Sequence, residues 1–170
     1  MVCQNRGMSK SLGLALVAAL FVAAGCSSRD VQKDLQIVDV HTGWYDLGPI
    51  ASDPDSIKIV PGITIRLKNV SAEPIGGVEL VAVFRDVKDE AVIDQHYVKA
   101  IATNAPLAAG DTTAPIVLKS QFGFTGKETR PQMMKNTLFV DKEVTILGKH
   151  GRNNWARMAI FPVERASINR

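Results

Sequence analysis

Ile63-Thr64-Ile65-Arg66-Leu67-Lys68 alternates apolar and polar residues without a break. In a strand, successive side chains point to opposite faces. Ile63, Ile65 and Leu67 therefore share one face, and Thr64, Arg66 and Lys68 the other. A helix would spread the same residues around its axis. Downstream, Val78, Leu80, Ala82 and Phe84 keep the same period. Val81 and Val83 put apolar side chains on the second face too, the pattern of a central strand covered on both sides. Asn69 to Gly77, with Pro74 and a Gly pair, forms the turn between these strands.

Working outward, the same vocabulary recurs. Leu35 to Thr42 reads as a first strand, and Gly48 to Ser56 as a loop broken by Pro49, Asp53, Pro54 and Asp55. Asp86 to Glu90 is a charged turn, Val92 to Ile101 a returning strand, and Pro106 to Asp111 another turn. Ala114 to Lys119 is a strand opening at Pro115, as edge strands allow. Gln121 to Asn136 has weak periodicity and reads as a long loop or one helical turn. Thr137 to Leu147 is a strand with a bend near Asp141-Lys142, Gly148 to Asn154 a polar turn, and Trp155 to Val163 the closing strand. Val, Ile and Thr dominate these runs, and Gly or Pro punctuates them. The fold class expected is all-β, an immunoglobulin-like antiparallel β-sandwich of about seven strands, with a closed barrel as its main rival. No repeat and no long amphipathic helix is present.

The first 26 residues differ in kind. A short basic stretch with Arg6 and Lys10 precedes an apolar run of 13 residues, Leu12 to Ala24. A membrane-spanning helix needs roughly 20 residues, whereas charge, apolar core and small residues in this order match a secretory signal. Val22-Ala23-Ala24-Gly25-Cys26 resembles the lipobox of bacterial lipoproteins, with Ala23 where Leu is commoner. The resemblance implies a diacylglycerol on the Cys26 thiol, cleavage just before Cys26, and acylation of the new amine. The competing reading is an ordinary apolar helix with an incidental Cys. Each buried methylene contributes about 0.8 kcal/mol, and two or three chains make a lasting anchor where one does not. The chain then divides into a helical signal peptide (1–25, removed), a polar lipidated tether (26–33) and the β domain (34–170). Translation starts at Met1 or at Met8, whose Met8-Ser9-Lys10 makes a compact basic region. The expected location is the cell envelope, and Ser27 after Cys26 favours the periplasmic face of the outer membrane in a Gram-negative host.

Removing the signal changes the charge. The formal +3 of the whole chain falls to +1 once Arg6 and Lys10 are gone, 18 basic against 17 acidic residues. Nucleic acid is a poor partner for an exported chain so near neutrality. The distribution is uneven: residues 27–118 balance at −5 (8 basic, 13 acidic) and residues 119–170 at +6 (10 basic, 4 acidic). Such asymmetry marks an anionic partner or, more often, a solvated face or two halves that neutralise each other across a sheet. Cys3 leaves with the signal and Cys26 is lipidated, so packing alone stabilises the domain.

A second resemblance runs through Leu67-Lys68-Asn69-Val70-Ser71, Gly77, Val83-Phe84-Arg85-Asp86, Ala91-Val92-Ile93 and Leu107-Ala108-Ala109-Gly110-Asp111. These residues, within 61–119, are similar to the FxLYD-type β-sandwich domain of bacterial envelope proteins. Arg85 stands where a second aromatic is usual, Lys88-Asp89-Glu90 replaces a Gly after the Asp, and Ala109 replaces a Pro. The resemblance implies structural roles: Asn69 bonding a turn, Phe84 in the core, Asp86 capping a hairpin. It implies no catalysis.

Residues able to do chemistry are scattered. Asp39-Val40-His41 and Asp94-Gln95-His96 each place two potential ligands on one strand face. They form a metal site only if the strands adjoin; otherwise they are polar residues on a solvated face, the favoured reading. No Gly-x-Ser-x-Gly elbow is present. Gly123-Phe124-Thr125-Gly126-Lys127 lacks the spacing and the Ser/Thr of a phosphate loop and reads as a flexible loop. Phe122, Phe124 and Trp155, with Lys149, Arg152 and Arg157, form either an aromatic–basic partner surface or part of the core and sandwich end. The function expected is a membrane-anchored, non-enzymatic accessory or assembly module acting through protein–protein contacts, with no cofactor. The alternative is a binder of peptidoglycan or another anionic polymer through the basic C-terminal third.

Overall fold

A computed structural model describes residues 29–168. The signal segment, Cys26 and Ser27 lie outside the described residues. Within them the chain forms eight strands, β1 (Leu35–Ile50), β2 (Asp53–Asn69), β3 (Val78–Asp86), β4 (Val92–Ile101), β5 (Ile116–Lys119), β6 (Phe124–Gly126), β7 (Lys142–His150) and β8 (Ala156–Pro162). Two short helices, α1 (Val31–Asp34) and α2 (Arg130–Lys135), complete it. The strands make two antiparallel sheets, β1-β2-β5 with β6 also on β2, and β4-β3-β7-β8. The architecture is an all-β sandwich.

The alternation that opens the sequence places the core. Ile63, Ile65 and Leu67 of β2 are fully buried, as are Val78, Leu80, Ala82 and Phe84 of β3. Leu118, Val144 and Ile146 join them from β5 and β7. Each large side chain so buried stabilises the fold by about 2 kcal/mol relative to exposure. β3 is central, between β4 and β7. Its second face lacks the expected double cover: Val83 is buried between Gln95 and Thr145 in the sheet, but Val81 and Leu147 remain partly exposed.

Several boundaries shift. The loop expected at Gly48 to Ser56 is a two-residue turn, Ala51-Ser52, because β1 and β2 run on as one long hairpin. Pro49 lies on an edge strand, and Pro54 lies beyond the last β6 partner, Ile57, so neither costs a ladder bond there. Pro61 sits inside β2 at the gap between its β6 partners, Ile57 to Ile59, and its β5 partners, Gly62 to Ile65. Its carbonyl accepts the Ser120 amide at 2.9 Å, while the missing N–H falls where no partner strand runs.

The stretch 121–136 contains β6 and α2 rather than a loop alone. Gly123 and Gly126 are packed glycines, where a flexible loop was expected. A side chain on Gly123 would lie 1.9 Å from the Ile59 carbonyl, and one on Gly126 would meet Glu128 and Met133. α2 is capped by Thr129, whose backbone N–H and hydroxyl both donate to Gln132 Oε1 at 3.0 and 2.7 Å. It buries Met133 and Met134. The strand expected from Thr137 begins only at Lys142, after a turn in which Leu138 N–H donates to Asn136 Oδ1. It then continues to His150, through the first residues of the turn expected at Gly148 to Asn154.

The tether expected at 26–33 is also corrected where it is described. Val31 is 3% exposed and belongs to the core. The Arg29 side chain donates to Ser71 Oγ at 3.1 Å and Glu73 Oε2 at 2.5 Å, and its carbonyl accepts from Asn153 Nδ2 at 2.8 Å. Gln32 Nε2 donates to the Arg157 carbonyl at 2.8 Å. Residues 29–33 therefore belong to the folded domain expected to begin at residue 34, because an apolar residue and a charge with ready partners interrupt the polar run.

Candidate functional site

The outer face of β4-β3-β7-β8 gathers an aromatic and charged cluster. Register puts Glu79 of β3 beside Lys149 of β7 and Lys99 of β4, and Val81 beside Leu147 and Tyr97. Trp155, at the end of the β7–β8 turn, meets Tyr97 edge-on, with ring centroids 6.2 Å apart and planes at 85°. Lys149 Nζ lies 4.8 Å from the Trp155 ring centroid and 2.8 Å from Glu79 Oε2. Tyr97 and Trp155 are 50% and 40% exposed, enough to offer their rings to a partner.

The electrostatics are local. Bonds from Lys149 and then Tyr97 hold the Glu79 carboxyl below its ordinary range. The same carboxylate pushes the Tyr97 phenol up. Arg157 is exposed on β8 opposite Leu147, and Arg152 is exposed in the adjacent turn. Exposed Trp and Tyr beside Arg and Lys are chemistry for recognition: flat apolar area with polar tips and cation–π contact.

The six residues singled out in the sequence do not form one surface. Lys149, Arg152, Trp155 and Arg157 belong to the β7–β8 hairpin. Phe122 and Phe124 lie on the other sheet, between and within β5 and β6. Phe122 is exposed, whereas Phe124 is half-buried, 5.5 Å from Phe139, whose ring lies tilted 4.4 Å from that of buried Trp44. Tyr97 and Glu79 were missed. Their signal was strand alternation: both point away from the core-facing residues Leu80 and Val98.

A cleft of about 510 Å³ opens between β4 and β5, lined by Leu47, Asp94, His96, Tyr97, Lys119 and Ser120 among others. Asp94 and His96 sit opposite Phe84 and Ala82, hence on the inward face of β4 at the sandwich margin. There they stitch the two sheets. Asp94 Oδ2 accepts the Ser120 hydroxyl at 2.9 Å and the Gln121 N–H at 2.6 Å. His96 Nδ1 lies 2.7 Å from the Lys119 carbonyl and 3.2 Å from its amide nitrogen, so the ring meets the β5 edge in either tautomer. Burial alone would raise the Asp94 carboxyl. The bonds from Gln121, Gln95 and Ser120, with the nearby His96, outweigh it and bring it down.

Although a serine, a histidine and an aspartate meet here, their order is not that of a nucleophilic relay. The buried hydroxyl donates straight to the carboxylate and the imidazole faces backbone. The two Asp-x-His pairs remain apart, on β1 and β4 in different sheets. Among the described residues no three His, Cys, Asp or Glu side chains converge as a metal site requires.

Part of the charge asymmetry is internal: four of the ten basic residues of 119–170 pair with acidic residues before them. Lys127 pairs with Asp53 at 3.5 Å, Lys149 with Glu79, Arg130 with Asp46, and Lys142 with Asp86. Each pair joins the basic last third to the acidic part before it.

No protein-family model matches the chain, and no curated protein matches its sequence. Among solved structures, an ApaA protein from Bordetella pertussis aligns at 15% identity over 76% of this chain and 92% of that one, with a TM-score of 0.39. Northeast Structural Genomics Consortium target SoR45 aligns at 12% identity over 79% of this chain and 89% of that one, with a TM-score of 0.41. Scores this low carry no functional inference.

Proposed function

We propose that the chain is a lipoprotein of the cell envelope, anchored through Cys26, whose domain is a non-enzymatic accessory module that binds another envelope protein. The observation that carries the partner role is the exposed Tyr97–Trp155 pair with Lys149 beside it, on a sheet face where Val81 and Leu147 add apolar area. Aromatic anchors with flanking cations are enriched where partner proteins bind most strongly. The strand order supports an immunoglobulin-like reading of the sandwich, with β1-β2-β5 facing a four-stranded β4-β3-β7-β8 sheet. The turn bonded by the Asn69 amide and the burial of Phe84 support the FxLYD reading.

The anionic-polymer alternative rests on Arg152 and Arg157, since Lys149 and three other cations of the basic third are engaged in ion pairs with the acidic part. The test is a photo-crosslinker placed at Tyr97 in cells and, as a control, at Lys58. One discrete protein adduct at Tyr97, missing at Lys58, is the expected result. No adduct, combined with salt-sensitive retention on peptidoglycan that disappears in a Lys149→Ala/Arg152→Ala/Arg157→Ala variant, would replace this reading with the polymer one.

A further inference from the structure

The chain is clamped to the sandwich only three residues after Cys26. Arg29, its side chain 16% exposed, is bonded to Ser71 and Glu73 in the β2–β3 turn and, through its carbonyl, to Asn153 in the β7–β8 turn. Asp34 adds a carboxylate 3.6 Å from the guanidinium. Three residues reach at most about 11 Å even when fully extended. The end of the sandwich that holds Arg29 is formed by the β2–β3, β4–β5 and β7–β8 connections. The opposite end carries the β1–β2 turn, the β3–β4 turn and α2.

Two loops at opposite ends differ in composition, although the Arg29 end also carries the charges of Asp30, Lys33, Glu73 and Arg152. The β4–β5 connection, residues 102–115, has one charged residue, Asp111. Ala102, Ala105, Ala108 and Ala109 in it are exposed. The β3–β4 turn at the other end runs Val87-Lys88-Asp89-Glu90-Ala91. A nearly uncharged loop loses little hydration when it lies against a bilayer, whereas three adjacent charges lose much.

We infer that the domain is held upright on a phospholipid surface, with its Arg29 end and the 102–115 loop against the headgroups and the β3–β4 turn and α2 facing away. This rests on the lipid anchor at Cys26. The short reach sets the orientation, and the Tyr97–Trp155 pair then faces sideways, open to a partner in the same membrane.

The test uses the lipidated chain, its acylation verified by intact mass, in phosphatidylethanolamine–phosphatidylglycerol vesicles carrying a nitroxide on the headgroup. A fluorophore is attached at Ala109→Cys or at Lys88→Cys. Loss of emission at 109 and none at 88 is expected. A twelve-residue Gly/Ser insertion between Ser28 and Arg29 should abolish that difference. Equal quenching at both sites with lipid present would overturn the orientation while leaving the anchor standing. A difference that survives the insertion would remove the clamp as its cause. A mature chain without lipid would defeat the anchor, and the orientation with it.

Discussion

The side-chain nitrogen of Asn69 donates to the carbonyl of Leu107, 38 residues further on, at 3.0 Å. The same nitrogen also reaches the carbonyls of Glu73 and Ala108 at 2.8 and 3.1 Å, and Oδ1 accepts from the backbone N–H and hydroxyl of Ser71. One fully buried amide thus fastens the β2–β3 turn to the β4–β5 connection. Asn69→Ala leaves several polar groups without partners and should cost about 3 kcal/mol in urea unfolding. Asn69→Asp should cost more, because it turns a carboxylate towards carbonyl oxygens. A smaller loss for Asp than for Ala would refute this account of the turn.

Gly123 is required by closeness. A methyl there would lie 1.9 Å from the Ile59 carbonyl and 2.8 Å from Val60 Cα, both backbone atoms that cannot rotate aside. Gly123→Ala should destabilise by roughly 3 kcal/mol and release β6 from β2. Hydrogen exchange at Phe124 to Gly126 reads this directly: faster exchange there, with β3 and β7 unchanged, is expected.

The Asp94 stitch is pH-dependent in a defined direction. Its carboxyl titrates below the ordinary 3.8, so the ionised form is favoured in the folded state. The stabilisation is fully present above about pH 3.8 and is lost as pH falls through the lower folded value. Asp94→Asn should therefore be less stable than the parent at neutral pH, with the gap closing at strongly acid pH. A gap that widens on acidification would contradict the assignment.

Much of the sandwich was legible because its central strands bury one face each, and a period of two survives in the residues themselves. Ile63, Ile65, Leu67, Leu80 and Phe84 went where alternation put them. The β1–β2 hairpin was not legible, since Pro49 and Pro54 read as breakers until their neighbours show that no ladder bond is lost. Asp94 and His96 read as polar residues on a solvated face because their shared face was visible while its neighbour, β5, was not. The same blindness to register hid Tyr97 and Glu79. Lys149 and Trp155 were visible from proximity in the chain, whereas their partners come from strands β3 and β4.

The aromatic pair should matter for partner capture far more than for folding. Tyr97→Ala and Trp155→Ala remove exposed rings and should each change stability by about 1 kcal/mol or less. Either should abolish the crosslinked adduct formed by a probe at a neighbouring position such as Lys99. Unfolding of either variant at ambient temperature would place these rings in the structural framework instead.

The most direct measurement of the central claim is fatty-acid labelling of the precursor in cells, comparing the parent with Cys26→Ser. A labelled mature chain beginning at Cys26 is expected for the parent, and an unlabelled, uncleaved precursor for the variant. A Cys26→Ser chain that is still cut after Gly25 and still takes up label would contradict it.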